Sequence, residues 1–151
     1  MVKSDPSEIT DTFSTNQPAK LELGDKDMAV LRIPSGSLGR ATNITFKLEP
    51  RGKSQPPVVG KIYKLFSVYA PSTTPEPQVE TNNGEPFVLE LPAGAKKDAN
   101  LAIGVEDEKG KVKWTVVAPK RIDDVRNVAV FELNALPSAL LHITTKAPTA
   151  K

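Results

Sequence analysis

His142 is the only histidine in this 151-residue sequence, and a Ser-His-Asp arrangement needs a histidine to take the proton of the nucleophile. It lies in an alternating run in which Leu141 and Ile143 occupy one phase and His142 and Thr144 the other. The apolar phase of such a run faces the core. The sequence therefore predicts a plain surface histidine at this position, and not a catalytic base.

Carboxylates occur in two runs that are the remaining candidates for metal binding. Glu106–Glu108 lies at a predicted hairpin, and Ca²⁺ takes six to eight oxygen ligands. The run matches no known calcium-loop spacing, and Lys109 and Lys111 follow it at once, so we predict a solvated turn. A second pair, Asp123 and Asp124, has arginine neighbours and receives the same interpretation.

Cysteine is absent from the sequence, which excludes disulfides, thiolate chemistry and cysteine-based zinc sites. No glycine-rich phosphate loop and no His/Asp metal triad occurs. We therefore predict no catalytic residue, no metal, no cofactor and no enzymatic activity. An enzyme of unknown type, in which carboxylates meet only in space, is a third hypothesis behind the two binding functions given below.

The charge of the chain is nearly balanced, with 20 basic and 18 acidic residues and a formal net charge of +2. Nucleic-acid-binding proteins concentrate basic charge on one surface, so we predict no nucleic-acid partner. No run of about 18 apolar residues occurs, so we predict no membrane span. Lys111 and Lys113 add local basic charge, and alternation places both side chains toward solvent.

Apolar and polar residues alternate through most of the chain, which is the pattern of half-buried β-strands. Ile44–Leu48, Leu101–Val105 and Val112–Val116 are examples, with Trp114 predicted to lie in the core. We expect about eight to ten strands of ordinary length. This pattern predicts an all-β fold, an antiparallel β-sandwich of the immunoglobulin-like kind, with a closed barrel as the alternative.

One motif occurs twice, as LRIPSGSLGRATNITFKLE at residues 31–49 and as LELPAGAKKDANLAIGVED at residues 89–107. Each copy reads as a strand, a corner and a second strand, because Pro ends a strand ladder and Gly gives the chain freedom to turn. The pattern favours two related halves, 28–50 and 86–107, in related positions of two sheets. A chance likeness between two β arches is the alternative.

The stretch AVLRIPSGSLGRATNITFKL resembles the core signature of ZU5-type domains, in which a strand ends in an Ile-Pro-x-Gly corner and an ITF-like strand follows. The matching residues are Val30, Ile33, Pro34, Gly36, Ser37, Leu38 and the strand Ile44–Leu48. The second copy departs from the pattern at Lys96, where an apolar residue is expected. The resemblance implies a β-sandwich used for protein–protein contact, beside other modules.

Some ZU5-type relatives cut themselves at a His-Phe-Ser triplet. In this chain Ile143 and Thr144 follow His142, so the resemblance does not extend to self-cleavage.

Polar, proline-containing segments delimit the predicted domain. We expect a flexible arm over 1–18, a β-sandwich over 19–146 and a flexible tail over 147–151. A further polar segment with four prolines, 70–86, divides the chain near its middle.

The run Lys61–Ala70 is apolar on both phases, and Tyr63, Leu65 and Tyr69 share one of them. If that phase is exposed, these three residues are the candidate interaction surface, together with Lys111 and Lys113; if it is covered, they are packing residues.

The sequence thus favours a non-enzymatic protein-interaction or structural module of an extracytoplasmic or cell-surface assembly. Periplasmic, secreted and cell-surface locations are all open, and we expect any signal peptide to be absent from this chain. Other proteins, in a heteromeric or self-assembled complex, are the predicted partners. The alternative is a β-sandwich domain that binds a carbohydrate or another ligand.

Overall fold

The computed structural model describes residues 8–13, 18–23, 29–49, 58–69, 74, 76, 78–82, 84–92, 99–123 and 125–147. These residues form an all-β structure without helices, as the alternation predicts. The strands are β1 Glu8–Phe13, β2 Ala19–Leu23, β3 Ala29–Ile33, β4 Thr42–Leu48, β5 Val59–Tyr69, β6 Gln78–Glu80, β7 Phe87–Pro92, β8 Asn100–Glu106, β9 Val112–Val117, β10 Arg121–Asp123, β11 Val128–Leu133, β12 Ala135–Pro137 and β13 Ala139–Thr144.

Two antiparallel sheets pack face to face, which confirms the predicted β-sandwich. One has six strands in the order β1-β4-β5-β13-β8-β9, and the other has five in the order β10-β11-β7-β3-β2. A third pair, β12-β6, adds Val79 and Leu136 to the core. Within the described ranges, no helix has the length and hydrophobicity needed to cross a bilayer.

The core lies between the inner faces of the two sheets. The largest fully buried side chains come from both sheets: Phe46, Phe87, Phe131, Leu21, Leu31, Ile33, Leu38, Ile44, Leu65, Leu89, Leu91 and Leu101. The predicted inward residues Ile44, Phe46 and Leu101 are confirmed, while Val105 near the end of β8 is 40% exposed. Val105 pairs with Lys113 on the edge strand β9, where the edge position leaves the valine in contact with solvent.

The two copies of the motif occupy related positions. β3 and β7 are neighbours in the five-stranded sheet, and their ladder pairs Leu31 with Leu89, which are equivalent residues of the two copies. Val30 pairs with Glu90 and Arg32 with Val88, so the register is symmetric about the central leucine pair. β4 and β8 lie symmetrically about the β5–β13 pair of the other sheet. A local twofold relation between the copies follows.

The first corner has the conformation that its sequence predicts. Gly36 has a φ of 81°, in the left-handed region that favours glycine, and Ser37 N donates to Pro34 O at 3.2 Å. The hydroxyl of Ser37 donates to the same carbonyl at 2.6 Å. The corresponding corner of the second copy, at 93–98, lies outside the described residues.

The prediction of a flexible arm over 1–18 is wrong for Glu8–Phe13. These residues form β1, an edge strand paired with β4 through the register Ile9 to Phe46. Residues 148–151 of the predicted tail lie outside the described residues.

We expect Leu31→Ala to lower the free energy of unfolding by about 2–5 kcal/mol, because it removes a fully buried side chain at the centre of the repeat. Val125→Ala, at a residue that is 94% exposed, is the matched control and leaves stability within about 0.5 kcal/mol. Urea denaturation measures both. An equal, small loss in both variants would show that Leu31 does not lie in the core.

Candidate functional site

The candidate interaction surface on β5 is not a surface. Tyr63 is 4% exposed and Leu65 0% exposed, and both belong to the core cluster between the sheets. Tyr63 packs against Phe46 with ring centroids 5.4 Å apart. Tyr69 is half-buried against the core, with the Arg40 guanidinium 4.8 Å from its ring centroid. The condition that this phase is exposed is therefore not met, because β5 is a central strand and this phase faces the other sheet.

Lys111 and Lys113 are exposed because they lie at the β8–β9 hairpin and on the edge strand β9. The hairpin turns where the sequence predicts, with Gly110 at a φ of 80°. The carboxylate of Asp107 accepts hydrogen bonds from the backbone N–H groups of Lys109 and Lys111, both at 2.9 Å. That carboxylate therefore stabilises the turn.

His142 lies on the outer face of the six-stranded sheet, as predicted, yet it is 0% exposed. The prediction of a surface histidine is wrong because an aromatic side chain covers it. The rings of Trp114 and His142 have centroids 5.4 Å apart. Trp114 was predicted in the core; it lies instead on this outer face, half-buried, across from Gly104 in the β8–β9 ladder.

Gly104 is what allows Trp114 to cover the sheet. A Cβ built on Gly104 would lie 2.7, 2.7 and 2.8 Å from three adjacent atoms of the six-membered ring of Trp114. These nearly equal distances mean that the ring presents its face, and not its edge, to the backbone of Gly104. The opposite face of the indole ring points away from the sheet.

Burial lowers the pKa of the His142 imidazole below its ordinary value of 6.5, because the charged form loses its hydration. The hydrogen bond to Ile143 O acts in the opposite direction and is the smaller effect. The Nδ1 atom lies 2.7 Å from this carbonyl oxygen, which only accepts, so Nδ1 carries the proton. His142 is therefore neutral near pH 7.

A groove of about 540 Å³ lies beside Trp114 on the same outer face. Its apolar lining comes from three strands, with Phe66 on β5, Leu140 on β13 and Val112 on β9. Register explains the grouping, since Leu140 pairs with Gly104 and with Lys64, while Glu106 pairs with Val112. Alternate residues of central strands thus form an apolar surface that the second sheet does not cover.

Among the described residues, three charged side chains border the groove, Glu49, Lys64 and Glu106. None of them forms an ion pair with another described residue. Ser138, at one end, donates its hydroxyl to the Glu76 carbonyl and so fixes the neighbouring segment. The groove therefore combines an apolar floor with two carboxylates and one ammonium group.

The outer face of the five-stranded sheet has a different character, centred on Glu90. Glu90 is 4% exposed and accepts from Arg32 Nε at 3.2 Å and from Arg126 Nη1 at 2.9 Å. Arg126 Nε also donates to Asp123 at 2.8 Å. Burial by itself would raise the pKa of Glu90, but the hydrogen bonds from Arg126 and Arg32 outweigh it and hold that pKa below its ordinary value.

Neither Glu90 nor the groove was among the candidate sites predicted from the sequence. For Glu90 a signal existed, because a charged residue interrupts the otherwise apolar strand VLEL. For Trp114 the signal was the hairpin register, which sets Trp114 opposite Gly104 once the turn at Gly110 is assigned. In the described part of the chain no group of three or more His, Cys, Asp or Glu side chains is arranged to hold a metal ion.

Acidification should destabilise the protein in two separate steps. The unfolded chain protonates His142 near its ordinary pKa of 6.5, whereas the folded protein does so only at lower pH. The unfolded state therefore binds more protons below about pH 6.5, and the free energy of unfolding falls there. Glu90 has an ordinary pKa of 4.5, and its pKa in the folded protein is lower. Below about pH 4.5 the unfolded state therefore binds more protons at this carboxyl group, and the free energy of unfolding falls a second time.

Urea denaturation at a series of pH values, followed by the fluorescence of the single tryptophan, measures both steps. His142→Gln should remove the step below pH 6.5 and preserve the step below pH 4.5. A step near pH 6.5 that persists in His142→Gln would contradict the burial of this histidine as its cause.

Comparison of the chain with protein-family models, with curated proteins and with solved structures finds no match. The resemblance to ZU5-type domains therefore stays a prediction.

Proposed function

We propose that this protein is a non-enzymatic protein-interaction module that binds a partner in the groove on the outer face of its six-stranded sheet. The groove takes a segment that combines apolar side chains with basic ones. The ZU5-like corner at Ile33–Leu38 agrees with this role, since that resemblance implies protein–protein contact.

The apolar character of the outer face carries the proposal. A sheet with one face on the core and the other in water alternates between apolar and polar residues. In β5, however, Ile62, Phe66 and Val68 lie on the outer phase, and Leu140 of β13 extends the apolar surface. Concave, mostly apolar surfaces with a few charged groups are the usual form of binding sites.

The charges on the groove rim define the partner further. In the described part of the lining, the carboxylates of Glu49 and Glu106 border the groove together with the ammonium group of Lys64. A basic partner residue would gain an ion pair there without breaking one between described side chains. Complementary charges at an interface rim favour fast association and correct orientation.

The position of His142 argues against its use as a catalytic base. His142 lies on the outer face of the sheet beneath Trp114, whereas the buried Ser67 points to the inner face. These two side chains are on opposite sides of one sheet, so they do not form a nucleophile–base pair. A substrate would also have to displace Trp114 to reach the imidazole ring.

Carbohydrate binding is the second candidate function, and Trp114 is the observation that favours it. Its indole ring lies flat over Gly104 and turns its other face away from the sheet. A flat aromatic ring offers an apolar platform to the C–H face of a sugar, and the nearby Glu106 carboxylate offers hydrogen-bond acceptors.

Selection of peptides from a random display library against the folded domain tests the protein-interaction proposal. We expect the selected peptides to combine apolar residues with Lys or Arg. Glu106→Lys should weaken their binding about tenfold, equivalent to about 1.4 kcal/mol, because it reverses a charge on the groove rim. Glu108→Lys, an exposed acid in the adjacent turn, is the matched control and should leave binding unchanged.

Equal loss of binding in Glu106→Lys and Glu108→Lys would contradict a site in the groove. A glycan array separates the second candidate, because glycan binding would be lost in Trp114→Ala and retained in Glu49→Lys. Binding of glycans without any peptide binding would replace the leading proposal by the second.

A further inference from the structure

The outer face of the five-stranded sheet holds a second concave surface, with a volume of about 510 Å³. Its charged lining consists of Arg32, Lys120, Arg121, Arg126, Glu90 and Glu132. Among the described residues, the lining therefore holds four cations and two carboxylates, and a third carboxylate, Asp123, lies beside it in contact with Arg121 and Arg126. This surface faces away from the groove proposed above, since the two lie on opposite outer faces of the sandwich.

Glu90 organises the cations of this surface. It is the buried acid of β7, and its two oxygens each take one guanidinium group, from Arg32 and from Arg126. The Nε atom of Arg126 also forms an ion pair with the carboxylate of Asp123. Two arginine side chains are thereby fixed before any ligand arrives, which lowers the entropic cost of binding.

The surface keeps hydrogen-bond donors that its own carboxylates do not use. Arg32 contacts Glu90 through Nε, and its two terminal amino groups have no partner among the described residues. Arg121 and Lys120 lie 3.8 and 3.7 Å from Asp123 and Glu132, which is longer than a hydrogen bond. Their side chains are 58% and 64% exposed, so these contacts are weak and easily exchanged.

We propose that this surface binds an oxyanion, the sulfate or phosphate group of a ligand, through the free guanidinium edge of Arg32 with Arg121 and Lys120. Planar guanidinium groups donate paired hydrogen bonds to such oxyanions. Among the described residues, the four cations exceed the carboxylates Glu90, Glu132 and Asp123 by one, which leaves a positive charge to complement the anion. Glu90 and Arg126 act as positioning residues, because they hold the surface in place and do not need to touch the anion.

The proposal is tested with two probes, inorganic sulfate and a sulfated heparin-derived oligosaccharide, by isothermal titration calorimetry and by NMR of the arginine Nε–H groups. We expect Arg121→Gln to weaken binding about fivefold to tenfold, on the scale of charge-assisted hydrogen bonds. Lys113→Gln, which removes one exposed charge on the edge of the other sheet, should leave binding unchanged.

The two probes separate the sources of the anion. Binding of both indicates a site for the isolated group, and binding of the oligosaccharide alone indicates that the group must be part of a larger ligand. Either result supports the proposal if Arg121→Gln weakens the binding of the probe and if the Arg32 Nε–H resonance shifts when the probe binds. Equal weakening by Lys113→Gln would overturn it in favour of non-specific attraction, as would the absence of binding of either probe.

Discussion

The six-stranded sheet has apolar residues on both faces of its central strands, and in the described part of the chain the five-stranded sheet packs on one of these faces. Leu65 and Leu141 turn inward to the five-stranded sheet, whereas Phe66 and Leu140 turn outward. Apolar area left in water carries a cost of about 25 cal/mol per Å². The cover of this outer face determines the burial of His142 and the extent of the groove.

Trp114 covers one part of that face, and the remaining part is the groove. The indole ring shields His142 because Gly104 has no side chain to hold it away. The cross-strand pair of Gly104 and Trp114 thus explains why His142 is buried and neutral. It also explains why an aromatic side chain lies beside the open groove. Covering of the groove by a bound partner is what the proposed protein-interaction role requires.

The two copies of the motif occupy symmetric places in the order of strands. Leu31 and Leu89 are equivalent in the two copies and face each other in one ladder, so each copy contributes one strand to each sheet. The two outer faces nevertheless differ in chemistry. Arg32 and Glu90 are equivalent positions of the repeat, and their opposite charges now form the ion pair that organises the five-stranded face.

Alternation was sufficient to predict the fold class and the inward positions of Ile44, Phe46 and Leu101. It could not choose the inward phase of β5, because both phases are apolar; that choice depends on which neighbours β5 pairs with across the sheet. Trp114 was misassigned for a related reason. Its phase looks apolar along β9, but the face is decided by pairing with Gly104 and not by the strand alone.

Solvent accessibility of methyl groups, measured by NMR with a soluble paramagnetic gadolinium chelate, tests the central claim directly. The account predicts that the chelate broadens the methyl signals of Leu140 and Val112 strongly and leaves those of Leu65 and Leu141 sharp. Leu140 and Leu141 are sequence neighbours, so the contrast depends only on which face of β13 each side chain occupies. Equal protection of both leucines would contradict an open apolar groove on the outer face.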